Sequence, residues 1–435
     1  MDRAGGAAPG SAWGTFLTVW VGQFVSTLGS SLTAFAAAWW VFEQTGSATQ
    51  FALTVLFEVL PFVVLSPFAG VMVDRTSRRR VMILSDVVAA ASSAVLLALL
   101  GFARLEVWHV YLATLLNSVA GVFQGPAYSA SVSLLVPKAL LGRANGLVQL
   151  SRASGRLIAP VAAGFLMSAL GLEGVIAVDL VTFAVALSTL LVVRFPRLER
   201  QVATTKVVWR DLLTGWRYLT RRRGLLGLAM FRTLYNFLNN FGLVLTTPLL
   251  LSLGSPEVLG VVLSVGGSGM VLGGIFTATW GPSRGLVRTN LGFLLLSGVG
   301  IVLVGLRPYP PLIAFGLFIF YFSFAVAGAA GSTLFQRKVA PEVQGRVFAT
   351  DQTLSYLGEP FAYLLVGPLA EFVFGPLLVP GGGLAETVGR VVGIGRGRGM
   401  GLLTVLAGLL IIVTTLATYL IPSVRRLEKE LPDEV

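Results

Sequence analysis

The chain has no cysteine, a single histidine (His109), and charged residues at only 12% of its 435 positions. A soluble globular chain averages about 25% charged residues, so half that load over this length excludes an ordinary cytosolic enzyme. The missing cysteines exclude a disulfide-stapled secreted module, and one histidine with no thiols leaves no set of zinc ligands. No G-x-x-x-x-G-K-[ST] loop occurs, so nucleotide hydrolysis is not the expected driving force. In place of these features, 55% of the residues are apolar and the mean hydropathy is +0.82, which excludes disorder. The 32 Lys/Arg against 20 Asp/Glu give a net charge of +12, a figure that by itself could suggest nucleic acid. Where these charges lie shows otherwise, and the composition is that of a polytopic membrane protein.

A helix needs about 20 apolar residues to cross the hydrocarbon layer. Stretches long enough to do so cover 13–41, 51–73, 81–103, 107–130, 145–170, 174–193, 225–251, 258–280, 290–306, 312–335, 347–374 and 402–421. They predict an all-α membrane protein of twelve transmembrane helices. The division is a 1–12 tail, a six-helix bundle over 13–193, a basic linker over 194–224, a second six-helix bundle over 225–421, and a 422–435 tail. The first twelve residues have no apolar core, so span one is expected to act as an uncleaved insertion signal. With the N-terminus in the cytoplasm, 24 basic residues fall on the inner side. Five fall outside (Arg104, Arg307, Arg390, Arg396 and Arg398), and Arg152, Arg156 and Arg232 fall within spans. The positive-inside rule therefore places both termini in the cytoplasm of an inner-membrane protein, and the net charge reports topology rather than nucleic-acid affinity.

Six spans, a basic loop and six more suggest a duplicated unit. Pro137 to Arg143 follows span four, with Pro160 in span five; Pro341 to Arg346 follows span ten, with Pro360 in span eleven. The offset from Gly142 to Gly345 also carries Gly70 onto Gly273. Two pseudo-symmetric halves with a site between them is the architecture of many secondary transporters.

The turn after span two reads Gly70-Val-Met-Val-Asp74-Arg75-Thr-Ser-Arg78-Arg79-Arg80. Gly70 permits close helix approach, and Asp74 can bond Arg78 or the N–H groups of a helix N-terminus. The turn resembles the G-x-L-x-D-R-x-G-R-R signature of the major facilitator superfamily, with Ser77 at a glycine position. That resemblance implies a conformational latch of Gly70, Asp74, Arg75, Arg78 and Arg79; the alternative is a topogenic basic turn. Gly22-Gln23, Trp39-Trp40, Asp179, the Trp209–Tyr218 stretch and Gly345-Arg346-Val-Phe348 are similar to the macrolide- and siderophore-exporting branch, whose members are proton-driven exporters. Gly155 to Gly164 resembles the antiporter signature G-x-x-x-G-P-x-x-G-G, with alanine at 159 and 163. Generic small-residue packing is the competing reading.

Ionisable groups at bilayer depth are costly and are functional candidates by default. By helical rise, Glu58 lies about 12 Å below the outer end of its span, and Arg156 and Glu359 about 18 Å into theirs. Arg152 is one turn from Arg156, and Asp179 is expected near the outer surface. The resemblance implies that the helices of Glu58, Glu359, Arg152 and Arg156 line the seam between the halves. A carboxylate whose protonation changes with access to each side is what proton coupling requires. Glu359 and Glu58 are the expected pair, with Arg156 as competing partner and Asp179 as a further candidate; the alternative is a permanent Arg–Glu clamp. Arg152 and Arg232 are expected to snorkel toward the cytoplasm.

The resemblance implies that spans one, four, seven and ten line a central cavity, and polar or aromatic residues stand on them: Gln23 and Thr27 on span one, Asn117 and Gln124 on span four, and Phe231, Tyr235, Asn236 and Asn239 on span seven; lipid-facing or packing aromatics are the alternative for the rings. Amides facing lipid would be costly. A wide aromatic cavity that includes Phe315, Phe318 and Phe322 suits large amphipathic substrates held without tight specificity. The sequence thus predicts a proton-coupled efflux transporter of amphipathic small molecules such as macrolides, acting as a monomer in the lipid bilayer with no cofactor beyond the proton gradient. A siderophore exporter or lysophospholipid flippase on the same fold is the near alternative, and a non-transporting receptor or scaffold the distant one.

Overall fold

The computed structural model describes residues 9–136, 140–193, 214–253, 256–280 and 285–433. Every regular element among them is helical. Five helices come first: α1 (Pro9–Thr45), α2 (Ala48–Arg75), α3 (Arg78–Gly101), α4 (Val107–Leu135) and α5 (Leu141–Val192). A short helix α6 (214–220) precedes α7 (Arg223–Leu251), α8 (Pro256–Trp280), α9 (Leu286–Leu306) and α10 (Pro310–Lys338). Then come α11 (Pro341–Leu357), α12 (Glu359–Pro368), a π-helical stretch Leu369–Phe374, α13 (Gly375–Leu377), α14 (Gly389–Val392) and α15 (Arg398–Leu420). Two short helices close the chain, α16 (Pro422–Arg425) and α17 (Leu427–Glu430).

Each of the twelve predicted spans lies in helix. Nine helices among the described residues are long and apolar enough to cross a membrane. Helices satisfy their own backbone groups, which is why this element dominates where no water can. Two predicted spans, 145–170 and 174–193, run on as α5, turning at Gly171 with φ 65°. Only glycine adopts that left-handed conformation without steric cost.

Span eleven is not one helix as predicted but a broken one. Pro360 has no N–H to give to the Tyr356 carbonyl, so the ladder stops at Gly358 and restarts at Glu359. The segment between spans eleven and twelve contains α13 and α14, and Arg398, expected in an outer loop, opens α15. Arg398 is 1% exposed and donates through Nη2 to the Gly305 carbonyl at 2.7 Å. That carbonyl lies in the last turn of α9, where a cation opposes the helix dipole favourably.

The helices form two compact units. One runs from α1 to Val41 and from Phe57 through α5; its cores gather Phe16, Met82 and Leu190 toward one end and Ala36, Val110 and Ile176 toward the other. The second takes α6 onward together with Phe42–Leu56, a stretch the sequence reading placed wholly in the first bundle. Glu371 explains this assignment. Its Oε2 accepts from Ser47 Oγ (2.8 Å), Thr49 Oγ1 (2.8 Å) and Thr49 N–H (3.2 Å), so it caps the N-terminus of α2. In the second unit α9 packs against α10 where Gly300 faces Gly316: a Cβ on Gly316 would stand 2.7 Å from the Gly300 carbonyl. Small residues at such crossings let backbones approach without lipid between them.

Candidate functional site

Polar side chains inside these apolar helices fall into two groups, one in each unit. In the first unit the centre is Asp86, on α3 about 12 Å from its start by helical rise. Asp86 is 0% exposed. Gln124 of α4 donates through Nε2 to Asp86 Oδ1 at 2.6 Å and to Gln23 Oε1 at 2.9 Å. Gln23 of α1 donates through Nε2 to Asp86 Oδ2 at 3.2 Å. Three helices therefore meet at one carboxylate and two amides. No ion pair to Asp86 occurs among the described residues.

Asp179 is the second buried acid of this unit. It is 1% exposed and lies about two turns past the Gly171 kink. Ser93 Oγ lies 3.2 Å from Oδ2, and Ser30 Oγ and Thr182 Oγ1 lie 3.5 and 3.4 Å from Oδ1. Gly29 makes room for the group, since a Cβ there would sit 2.8 Å from Asp179 Oδ1. Asn117 accepts from Ser92 Oγ at 2.8 Å, while Thr27 donates to the Gln23 carbonyl of its own helix at 2.7 Å.

In the second unit, α7 presents its polar stripe to α11 and α12. Arg232 is ion-paired with Asp351 and lies 5.0 Å over the Phe335 ring. Arg232, expected to snorkel, is partly exposed and makes a cross-helix pair with the buried Asp351. The adjacent Thr233 donates through Oγ1 to the Leu354 carbonyl at 3.1 Å, and one turn on Asn236 Nδ2 donates to the Ser355 carbonyl at 3.2 Å. These belong to the last turn of α11, whose carbonyls lose intrahelical partners at the Pro360 break. Tyr363 of α12 donates to Asn240 Oδ1 at 3.0 Å. Asn239 is buried with its Oδ1 unpartnered. Phe231 and Tyr235 belong to the core of this unit, where the Tyr235 hydroxyl pairs with Ser297 at 2.9 Å. An open apolar cavity of about 800 Å³ lies between α8 and α10, lined by Val258, Val261, Val265, Phe315 and Phe318.

The other predicted residues stand as follows. Glu58 is an exposed side chain on α2, its carbonyl accepting from Ser118. Glu359 is half-buried in the first turn of α12, where the helix dipole favours its charge. The side chains of Arg152, Arg156, Gly70, Asp74 and Arg75 lie outside the described residues. Of the predicted latch, Arg78 donates to the Ala130 carbonyl at 2.7 Å, and Arg79 to the Leu190 and Leu191 carbonyls at 2.8 Å. The last two are orphan acceptors at the end of α5. Asp86 and Asp351 were missed, although the rule that singled out Glu58, an acid inside an apolar run, applies equally to both.

This architecture has known counterparts. The model of the Major Facilitator Superfamily matches residues 19–363. The chain belongs to that superfamily. Among its superfamily relatives, macrolide efflux protein A of Streptococcus pyogenes is 29% identical over 82% of this chain and 89% of its own length. The multidrug efflux pump Tap of Mycolicibacterium fortuitum is 24% identical over 82% of this chain and 90% of its own. A bacterial homologue of the human lysosomal transporter Spinster, solved inward-facing and unoccupied, superposes with a TM-score of 0.73 at 16% identity. That match covers 98% of this chain and 99% of the other. The nucleoside transporter NupG gives 0.66 at 13% identity over 93% and 99%. These two share the fold. The protein is accordingly a multi-pass membrane transporter of the Major Facilitator Superfamily.

Proposed function

We propose that this transporter exports amphipathic small molecules, macrolides among them, in exchange for protons. The observation that carries the coupling is the pair of buried carboxylates, Asp86 and Asp179, held in apolar helices by neutral partners only. A charge so placed is expensive and is retained where it serves a function. The cargo class rests on the efflux relatives and accords with the open apolar cavity beside Phe315 and Phe318, since such a surface accepts varied apolar bodies without tight specificity.

In this reading the membrane-embedded acids, Glu58 and Glu359 included, change protonation as access alternates between the two sides. Protonation then favours one state by differential stability, which is all a coupling ion can do. The chain works as a monomer in the cytoplasmic membrane with both termini inside, and the Asp74 latch braces one state. A susceptibility panel in a pump-deficient host tests this. Wild type raises macrolide tolerance, and Asp74→Asn and Glu359→Gln lower it at equal membrane abundance. Wild type that protects against no amphiphile would overturn the reading.

A further inference from the structure

The two units handle their buried acids differently, and the difference lies in the chemistry of the partners. Arg232 offers Asp351 donors only, because a guanidinium has five N–H groups and no acceptor. A neutral Asp351 would give up the charge that pairs with Arg232, and the guanidinium has no acceptor to offer its O–H. Asp86 instead faces two primary amides, each of which has both a donor end and an acceptor end. In the ionised state both of its oxygens receive N–H groups.

In the neutral state one oxygen must donate. A half-turn of the Gln23 amide brings Oε1 to where Nε2 stands, ready to accept from an O–H on Oδ2. Gln124 goes on donating to Oδ1. Asp86 thus stays hydrogen-bonded through both oxygens in either protonation state, while passing between them re-aims Gln23 on α1 and gives up its contact with Gln124 on α4.

The site also discriminates among ligands. Asp86 is wholly buried, so no space for an organic cation adjoins the carboxylate. Both oxygens already face N–H groups, which oppose a metal ion. A proton needs neither space nor a change of donor set before it arrives.

We infer that Asp86, with Gln23 and Gln124, is a proton-binding site built into the first unit, and that it is the group through which this transporter couples to the proton gradient. This rests on the proton-exchange reading above and names its site. The ionisable groups on the surrounding helices are few. α1 has none between Trp13 and Glu43. α4 brings Tyr128, one turn beyond Gln124, with Tyr111 and His109 toward its start. α5 brings Asp179, with Arg143 and Glu173 toward its start and its Gly171 turn, and Arg152 and Arg156, whose side chains lie outside the described residues. Asp179 has hydroxyl partners, which also donate and accept, but at 3.2–3.5 Å. The 2.6 Å contact at Asp86 makes it the tighter centre.

The test is infrared difference spectroscopy on the purified full chain, taken between mildly acidic and neutral pH. Wild type is expected to show the carbonyl stretch of a protonated carboxylic acid. Asp86→Asn loses that band, Asp179→Asn keeps it, and Gln124→Leu shifts it by removing a hydrogen bond. Gln124→Leu keeps the test open if Asp86→Asn fails to accumulate in membranes. In vesicles, Asp86→Asn retains substrate exchange and loses proton-driven accumulation, since Asn mimics the neutral acid in shape. A band undiminished in Asp86→Asn, or unshifted in Gln124→Leu, overturns the inference, as does proton-driven accumulation that survives the Asn substitution. If wild type shows the Asp86 band yet moves no substrate, the export reading fails while the proton site stands.

Discussion

At the scale of single residues, the structure replaces a list of isolated charges with specific partners. Arg232 and Asp351 are the sharpest case. Asp351 is 7% exposed and Arg232 35% exposed at the side chain, and Asp351 Oδ1 has no further partner. Removing the arginine leaves a buried carboxylate without compensation. Arg232→Ala is expected to cost about 1–3 kcal/mol, less than a fully buried pair because the guanidinium is partly wetted. The double substitution Arg232→Met with Asp351→Leu should recover most of that loss, since neither charge then remains. Thermal unfolding of the detergent-solubilised single and double variants measures the coupling. Additive losses would show that the pair does not act as a unit.

What the sequence reading saw and missed is also clearest here. Gln23 and Gln124 were recognised as amides that should not face lipid, and they do not. Their partner, Asp86, was not singled out, although it stands in an apolar run after Ser85. Asn236 was read as a cavity residue, yet it completes a helix end whose break depends on Pro360. That role cannot be seen without knowing that α7 packs on α11.

At the scale of elements, helix ends are held by groups distant in sequence. Glu428 of α17 accepts from the Leu286 and Val287 N–H groups at 2.9 and 3.2 Å, capping α9. Lys338, at the end of α10, donates to the Glu428 carbonyl at 3.1 Å and to the Leu431 carbonyl. It also pairs with Asp433 at 2.9 Å. The tail is therefore docked over its described residues, with Val424 and Leu427 buried. Composition could not show this, because 422–435 is too short and too charged to read as packed.

The hydrogen bond from Lys338 holds the Asp433 carboxyl below its ordinary value. A depressed carboxylate contributes above its unfolded pKa of about 3.9 and loses that contribution only as pH falls through the lower folded value. Docking should therefore not vary between about pH 5 and 8. Lys338→Gln should speed tryptic cleavage at Arg425, Arg426 and Lys429 severalfold. Unchanged cleavage would mean that the tail is held by Val424 and Leu427 alone.

At the scale of the whole molecule, the helix positions were legible because length and hydropathy report the bilayer directly. The places where helices break were less so. Gly171 and Pro360 are visible in the sequence, but whether such a residue ends a helix, turns it or merely bends it depends on the groups that take up the freed hydrogen bonds. The grouping of Phe42–Leu56 with the second unit was not legible at all, since its partners, Glu371 on Ser47 and Thr49 and Gly367 against Thr49, lie far along the chain.

The central claim is that buried carboxylates tie cargo movement to proton movement. Its most direct measurement uses reconstituted vesicles that have an acidic lumen and the cytoplasmic face outward. The account predicts that a macrolide accumulates in the lumen while luminal pH rises, and that a protonophore abolishes both. Accumulation that persists after the proton gradient is collapsed would contradict it.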